Sequence, residues 1–240
     1  MIEVEMLTKS YGTKLAVDHI SFKINDGEIF GLLGPNAAGK TTTVRLLSTI
    51  LKPDSGTAVI NGMDVVENPR AVRKMIGALP EEVGLYDRLT PREMLQYYGR
   101  LQGMDKTSII EGTEMLFEKL ELADFADARN STLSKGTKQK VSVARAFLHN
   151  PPVLFLDEPT AGIDVMSSRA IKDMIKRAKN QRKTILFSTH IMPEAEKICD
   201  RIAIIDKGRI IATGTLSELK SMTQKADLED VFVRLVEENM

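Results

Sequence analysis

The chain reads as an α/β fold with a mainly parallel core sheet, an N-terminal antiparallel β layer and an inserted helical subdomain. Three observations lead there. In the last third, short apolar runs alternate with helical patterns, which implies parallel strands with helices on both faces. Before Gly27 the sequence reads instead as consecutive short strands separated by turns. Between them, from about Tyr86 to Leu133, the period shifts to that of a helix.

Ile2–Leu7 and Ala16–Ile24 alternate roughly between apolar and polar residues and predict strands, with Asn25-Asp26-Gly27 as a turn. Glu28–Leu33 is an apolar run ending at a glycine-rich loop, and Thr41–Ile50 has helical character. Lys52–Gly56 is a turn, Thr57–Ile60 a strand, and Asn61-Gly62 another turn. In the middle stretch Met94, Leu95, Tyr98 and Leu101 share one face, as do Met115, Leu116, Lys119 and Leu120. Thr90-Pro91-Arg92-Glu93 predicts a helix start, with Thr90 and Glu93 closing a capping box. Val153–Leu156 and Thr184–Ser188 are strand-like, and Ser167–Lys179 is helical. Arg201–Ile205 and Arg209–Thr213 form a closing strand pair around Lys207-Gly208. The tail from Lys220 to Met240 is charged and helix-prone.

Bulk properties exclude several classes. The 240 residues suffice for one α/β domain that buries most of its surface. Lys plus Arg and Asp plus Glu number 33 each, which argues against a dedicated nucleic-acid binder. Cys199 is the only cysteine, so no intramolecular disulfide can form; a reducing compartment fits. Apolar stretches such as Ile29–Leu33 are far short of the roughly 20 residues a membrane-spanning helix needs. The N-terminal Met1–Ser10 carries acids early and lacks the apolar core of a signal peptide. A soluble protein is expected, with any membrane role supplied through a partner.

Two motifs carry chemistry. Gly34-Pro35-Asn36-Ala37-Ala38-Gly39-Lys40-Thr41 fits G-x-x-x-x-G-K-[ST] between a strand and a helix. Backbone N–H groups and the helix N-terminus there make a concave positive site for phosphate. Asn36, Ala37, Ala38, Gly39 and Thr42 belong to that cradle, Lys40 reaches the phosphates, and Thr41 offers a hydroxyl to Mg²⁺. Val153–Leu156 then ends in Asp157-Glu158, at the carboxyl end of a buried strand where α/β sheets bind ligands. Asp157 suits Mg²⁺, and Glu158 suits orienting or deprotonating an attacking water. Together these motifs define only a nucleotide-hydrolysing P-loop protein: a kinase, a GTPase or a motor.

Further segments narrow the choice. Leu133-Ser134-Lys135-Gly136-Thr137-Lys138-Gln139-Lys140 resembles the ABC signature, Ala161-Gly162-Ile163-Asp164 the D-loop, and Ser188-Thr189-His190 the switch histidine segment. Tyr11 stands where ABC ATPases place an aromatic that stacks on adenine. In order and spacing the chain is similar to the ATP-binding subunits of ABC transporters over residues 1–220, with the helical insert at about 86–133 and a short extension over 221–240. The resemblance implies ATP and Mg²⁺ as ligands, with Thr41, Glu81 and Asp157 toward the metal. It implies a head-to-tail pair of ATP-binding subunits, in which Ser134 and Gly136 reach the γ-phosphate of the other subunit's ATP. Asp164 then sits at the dimer interface, and His190 contacts the γ-phosphate. Integral membrane permease subunits are the implied partners, with this chain peripheral on the inner face of the cell membrane.

Three positions depart from the family pattern. Ala37 replaces a usual glycine; it is strained if the loop needs φ > 0 and harmless if the loop is helical. Glu81 stands where many members have the Q-loop glutamine, and Lys135 replaces the first signature glycine. The Lys135 cation either pairs with the phosphate of the opposing ATP or turns outward. The run Leu79–Thr90, Lys135 and Asp164-Val165-Met166-Ser167 resemble ABC-2-type exporters of the sodium-extrusion and antibiotic-resistance kind. In that family a coupling helix of the membrane subunit docks beside the Q-loop, which here implies Val83–Leu95 as lining. The alternative, a non-transport ABC ATPase acting on ribosomes or nucleic acid, lacks its usual marks. No tandem cassette, cysteine cluster or long heptad run is present.

Overall fold

A computed structural model describes residues 1–81 and 84–239. Its first sheet is antiparallel. β1 (Ile2–Tyr11) pairs with β2 (Lys14–Ile24) through a tight hairpin in which Tyr11 faces Lys14. Ile2 opposes Ile24 and Val4 opposes Phe22, so one face is apolar and buried. Register shifts between Val4 and Lys9, with Met6 and His19 at positive φ, explain why the alternation is only rough.

After β3 (Ile29–Leu33) the chain enters α1 (Lys40–Leu47). The helix stops short of the expected Ile50: the Ser48 hydroxyl bonds back to Val44 O at 2.7 Å, and Thr49 is left-handed. β4 (Ser55–Ile60) and β5 (Met63–Asp64) return to the first sheet, giving the order β2-β1-β4-β5. Then α2 (Pro69–Met75) leads to β6 (Ile76–Leu79), two short elements with no clear sequence pattern.

The insert holds α3 (Pro91–Leu101) and α4 (Lys106–Lys119). The capping box at Thr90 forms as expected: Glu93 N donates to Thr90 Oγ1 at 3.1 Å, and Thr90 N to Glu93 Oε2 at 2.9 Å. α5 (Lys135–Phe147) follows, then β7 (Val153–Asp157), α6 (Val165–Asn180), β8 (Thr184–Thr189), α7 (Met192–Ile198), β9 (Arg201–Asp206) and β10 (Arg209–Gly214). α8 (Leu216–Thr223) and α9 (Leu228–Glu238) end the chain. α8 runs continuously across residue 220, and Leu228, Val231 and Leu235 of α9 pack with Leu219 and Ile202 in one cluster.

The second sheet has six strands in the order β10-β9-β3-β8-β7-β6, parallel except for β10. β3, β7 and β8 are buried along their whole length, which is why they read as continuous apolar runs. One face packs on the first sheet and α1, where Phe22 and Phe30 stack with ring centres 5.3 Å apart. The other face packs under α5 and α6, and the insert joins the same core through Leu95, Leu116 and Phe117. Among the described residues no helix is long and apolar enough to cross a membrane.

Candidate functional site

The carboxyl ends of β3, β7 and β8 meet at one edge, and the loop Gly34–Gly39 lies across it. Its course is fixed by contact rather than by side chains. Gly34 N donates to Thr189 O at 3.4 Å, Ala38 N to Pro35 O at 3.3 Å, and Gly208 N to Ala38 O at 2.9 Å. Gly39 has φ 111°, and a Cβ there would sit 2.5 Å from Ala16 O, so only glycine fits. Ala37 takes φ 65°, the left-handed conformation that strains an alanine. Ala38 turns its methyl into the core instead of toward the cavity.

A cavity of about 220 Å³ opens over this loop. Tyr11, Asn36, Ala37, Gly39, Lys40, Thr41, Thr42, Glu81 and Glu158 line it, so most of the expected cradle converges. Tyr11 is 47% exposed, with its ring free for a planar ligand. Lys14 and Ala16 also line the cavity and were not anticipated. Lys14 owes its place to the β1–β2 hairpin, and hairpin pairing with Tyr11 was the available signal.

Lys40 and Glu158 are both buried, with Nζ 3.2 Å from Oε1. Lys40 Nζ also donates to Gly34 O at 2.8 Å and Pro35 O at 3.0 Å. Immediately after Asp157 the backbone makes a left-handed step at Glu158, φ 48°. Glu158 N is pinned by Ser188 O at 3.2 Å and Ser188 Oγ at 3.1 Å. A strained, over-determined residue of this kind is characteristic of functional sites. The turn leaves Glu158 between two bases, since His190 Nδ1 lies 2.9 Å from Glu158 Oε2. His190 thus joins the site through Glu158 rather than by lining the cavity.

Asp157 is buried beneath the cavity, and its Oδ1 accepts from the Ser188 hydroxyl. Its other oxygen, Oδ2, is buried and makes no hydrogen bond of ordinary length among the described residues, with the Thr41 hydroxyl near the carboxyl. Burial pushes the Asp157 carboxyl above the usual range; the hydroxyls of Ser188 and Thr41 oppose this, while the charges of Glu81 and Glu158 add to it. Thr41 Oγ1 donates to Glu81 Oε2 at 3.1 Å, so one hydroxyl and two carboxylates face one spot. Ser188, buried and bonded to both Asp157 and Glu158, is the positioning residue that sequence reasoning passed over.

Ser134, Gly136 and Asp164 form a separate cluster that shares no lining residue with this cavity. Ser134 caps α5, accepting from Thr137 N at 3.1 Å, and Asp164 caps α6, accepting from Ser167 N at 2.9 Å. That bond, then the Ser167 hydroxyl, holds the Asp164 carboxyl below its ordinary range. The two helix starts touch: a Cβ on Gly136 would lie 2.7 Å from both Asp164 Oδ2 and Ser167 Oγ. Lys135 extends over its own D-loop, with Nζ 2.5 Å from where a Gly162 Cβ would stand.

The parallel sheet, the glycine-bounded loop with its lysine, and the acidic strand end define a P-loop nucleotide hydrolase. The sequence model of the ABC transporter family matches residues 17–161. The ABC transporter ATP-binding protein NatA of Bacillus subtilis (strain 168) is 41% identical over 219 residues, 91% of this chain and 89% of that protein. The Nod factor export ATP-binding protein I of Paraburkholderia xenovorans (strain LB400) is 41% identical over 231 residues, 96% of this chain and 76% of its own length. A solved ATP-binding subunit of an ABC transporter superposes with a TM-score of 0.91 at 31% identity, over 98% of this chain and 99% of that one. The chain belongs to the ABC transporter family, as an ATP-binding and ATP-hydrolysing subunit.

Proposed function

We propose that this chain is the ATPase half-site donor of an ABC-2-type exporter, working as a pair of ATP-binding subunits beneath integral membrane permease subunits. The observation that carries the catalytic part is the Lys40–Glu158–His190 array over the phosphate loop. Tyr11 stacks on adenine, and the N–H groups from Asn36 to Thr42 cradle the phosphates. Incoming phosphate oxygens draw Lys40 Nζ away from Glu158 and from the carbonyls of Gly34 and Pro35. Glu158, so released, faces the γ-phosphate and accepts a proton from the attacking water, while His190 holds its other oxygen.

The residues present also fit Mg²⁺. The unpartnered Asp157 Oδ2 lies beneath the cavity, and Thr41 and Glu81 complete a hydroxyl-and-carboxylate set. Among the described residues no cluster of three His, Cys, Asp or Glu is arranged as a metal cage. Mg²⁺ binds through one or two carboxylates, substrate phosphates and water. When bound, it neutralises charge on the β- and γ-phosphates.

Ser134, Gly136 and Asp164 support the dimer. They sit away from the chain's own phosphate loop at two helix starts, where Ser134 and Asp164 are exposed and Gly136 is buried against Asp164 and Ser167, so the phosphate they meet is the partner's. A groove of about 390 Å³ supports the membrane partner. Ile50, Pro80, Gly84, Tyr98 and Arg145 line it, and Ile50 is 62% exposed. Of the expected lining Val83–Leu95, Gly84 contributes and Val83 lies outside the described residues. A short amphipathic helix fits such a groove. Export is supported by the resemblance of Glu81, Lys135 and the Asp164–Ser167 run to that subgroup, and by the export function in the name of one relative.

The test is to trap tagged Glu158→Gln protein with ATP and Mg²⁺ and identify what co-purifies from detergent-solubilised native membranes. A multi-helix membrane protein is expected. Ribosomes or nucleic acid without a membrane protein overturn the transporter part and leave the ATPase standing. In proteoliposomes of the identified membrane protein with the unmutated chain and ATP outside, cargo accumulating inside supports export; depletion of loaded cargo overturns it.

A further inference from the structure

A second cavity shares no lining residue with the nucleotide site. It measures about 880 Å³ and is bounded by α4, the end of α5, α6 and the segment before β8. That is within the roughly 300–1,000 Å³ span of small-molecule sites. One wall is apolar, with Leu116, Leu148 and Met174 all nearly buried.

Lys183 stands in this wall at only 7% exposure. Its Nζ donates to Pro151 O at 2.6 Å, leaving two of the three ammonium N–H groups without a protein acceptor among the described residues. No carboxylate there pairs with it, and burial lowers its pKa with no acid opposing the shift. Three other charged side chains, Glu111, Lys119 and Arg177, also line the cavity. Glu111 is exposed, and Lys119 and Arg177 share a neighbouring recess with Glu121 and Asp173. His149 bonds through Nε2 to Ile76 O at 3.1 Å, and burial, then the Lys183 charge, favours its neutral form. Of the three cations in the lining, Lys183 is the buried one, and it stands beside an apolar surface.

We propose that this cavity binds an amphiphilic monocarboxylate, such as a fatty acid, with its carboxylate on Lys183 and its apolar body along Leu116, Leu148 and Met174. A single carboxylate matches the one buried ammonium of the lining, and its bond is charge-assisted. The bound molecule touches α4 of the insert and α6 of the core at once, so it ties the two together.

The chain has no tryptophan, and Met115, in the cavity lining, is 46% exposed. Met115→Trp therefore places a lone fluorophore at the cavity. The probes are decanoate, 1-decanol and decyltrimethylammonium, each titrated below its micelle concentration. Decanoate is expected to give a saturable change in emission, with the other two at least about tenfold weaker, the loss of one charge-assisted bond. Adding Lys183→Met, which keeps the apolar stem, is expected to weaken decanoate by about the same factor and leave decanol and ATP affinity unchanged. Equal binding of the three probes, no saturable response to decanoate, or decanoate binding unchanged by Lys183→Met overturns the proposal. Should Lys183→Met not fold, the head-group comparison on Met115→Trp alone decides.

Discussion

The phosphate-loop region and the signature region are the two polar ends of one chain, and they handle charge in opposite ways. Around the phosphate loop the charges are buried and answer one another. Lys40 and Glu158 are 6% and 7% exposed, and His190 and two carbonyls complete the set. Around the signature the polar groups are exposed: Ser134 and Asp164 cap their own helices and leave an open surface at the start of α5 and α6. The first region is therefore closed by its own side chains until phosphate displaces Lys40. The second has nothing to displace and needs only an anion brought to it. A chain with both has two half-sites, and the proposed head-to-tail pair joins one of each.

The comparison breaks first at Glu158. On the proposed role, Glu158→Gln removes the base but keeps the side chain's size. Steady-state hydrolysis is expected to fall by about 10²-fold or more, the range for general-base catalysis, with ATP affinity retained. The variant with ATP and Mg²⁺ should elute as a dimer on size-exclusion chromatography. Unchanged turnover removes Glu158 from the chemistry.

Gly136→Ala tests the other half-site. The added methyl meets Asp164 Oδ2 and Ser167 Oγ at 2.7 Å, so the α6 cap must shift. Turnover is expected to drop by about tenfold through a misplaced donor surface, with ATP affinity of the isolated chain within about twofold of the parent. A matching loss of monomer affinity would place Gly136 in the phosphate-loop half instead.

Asp157→Asn separates binding chemistry from folding. The Asp157 carboxylate is buried with one oxygen unpartnered among the described residues, and such a group costs about 1–3 kcal/mol. Its neutral replacement is expected to raise the melting temperature of the nucleotide-free protein by about 2–4 °C per kcal/mol recovered, for a chain of this size. The same change should abolish any stabilisation by Mg²⁺ with ATP. A variant that melts lower without ligand would show that the charge is already satisfied.

What the sequence made legible follows the same division. The phosphate loop, Asp157, Glu158 and the buried strands could be read because their chemistry depends on residues adjacent in the chain. The Thr90 capping box was legible for that reason too. Ser188 was not read as a positioning residue, because its partners Asp157 and Glu158 lie across a strand pairing. Lys14 reaches the cavity only through a hairpin register. β6 was missed because Ile76-Gly77-Ala78-Leu79 is too short to show a period. The direction of Lys135, toward Gly162 of its own D-loop, depends on two loops meeting.

Ala37 gives the smallest expected effect and the sharpest contrast with Glu158. Both residues hold positive φ, 65° and 48°. Glu158 is buried, with its N–H fixed by Ser188 and its carboxylate bracketed by Lys40 and His190, so its strain is compensated by contacts. Ala37 is exposed at the cavity rim, and a left-handed alanine is disfavoured by about 1–2 kcal/mol. Ala37→Gly relieves that strain but frees the unfolded chain, and about 1 kcal/mol of the gain is offset. A rise in melting temperature of no more than about 2–4 °C is expected by differential scanning calorimetry. ATP affinity should fall slightly, because a looser loop must be ordered when phosphate binds. Higher stability with weaker binding would mean that the alanine stiffens the cradle at the expense of the fold. A lower melting temperature would mean that the loop's neighbours, and not its backbone, set the conformation at Ala37.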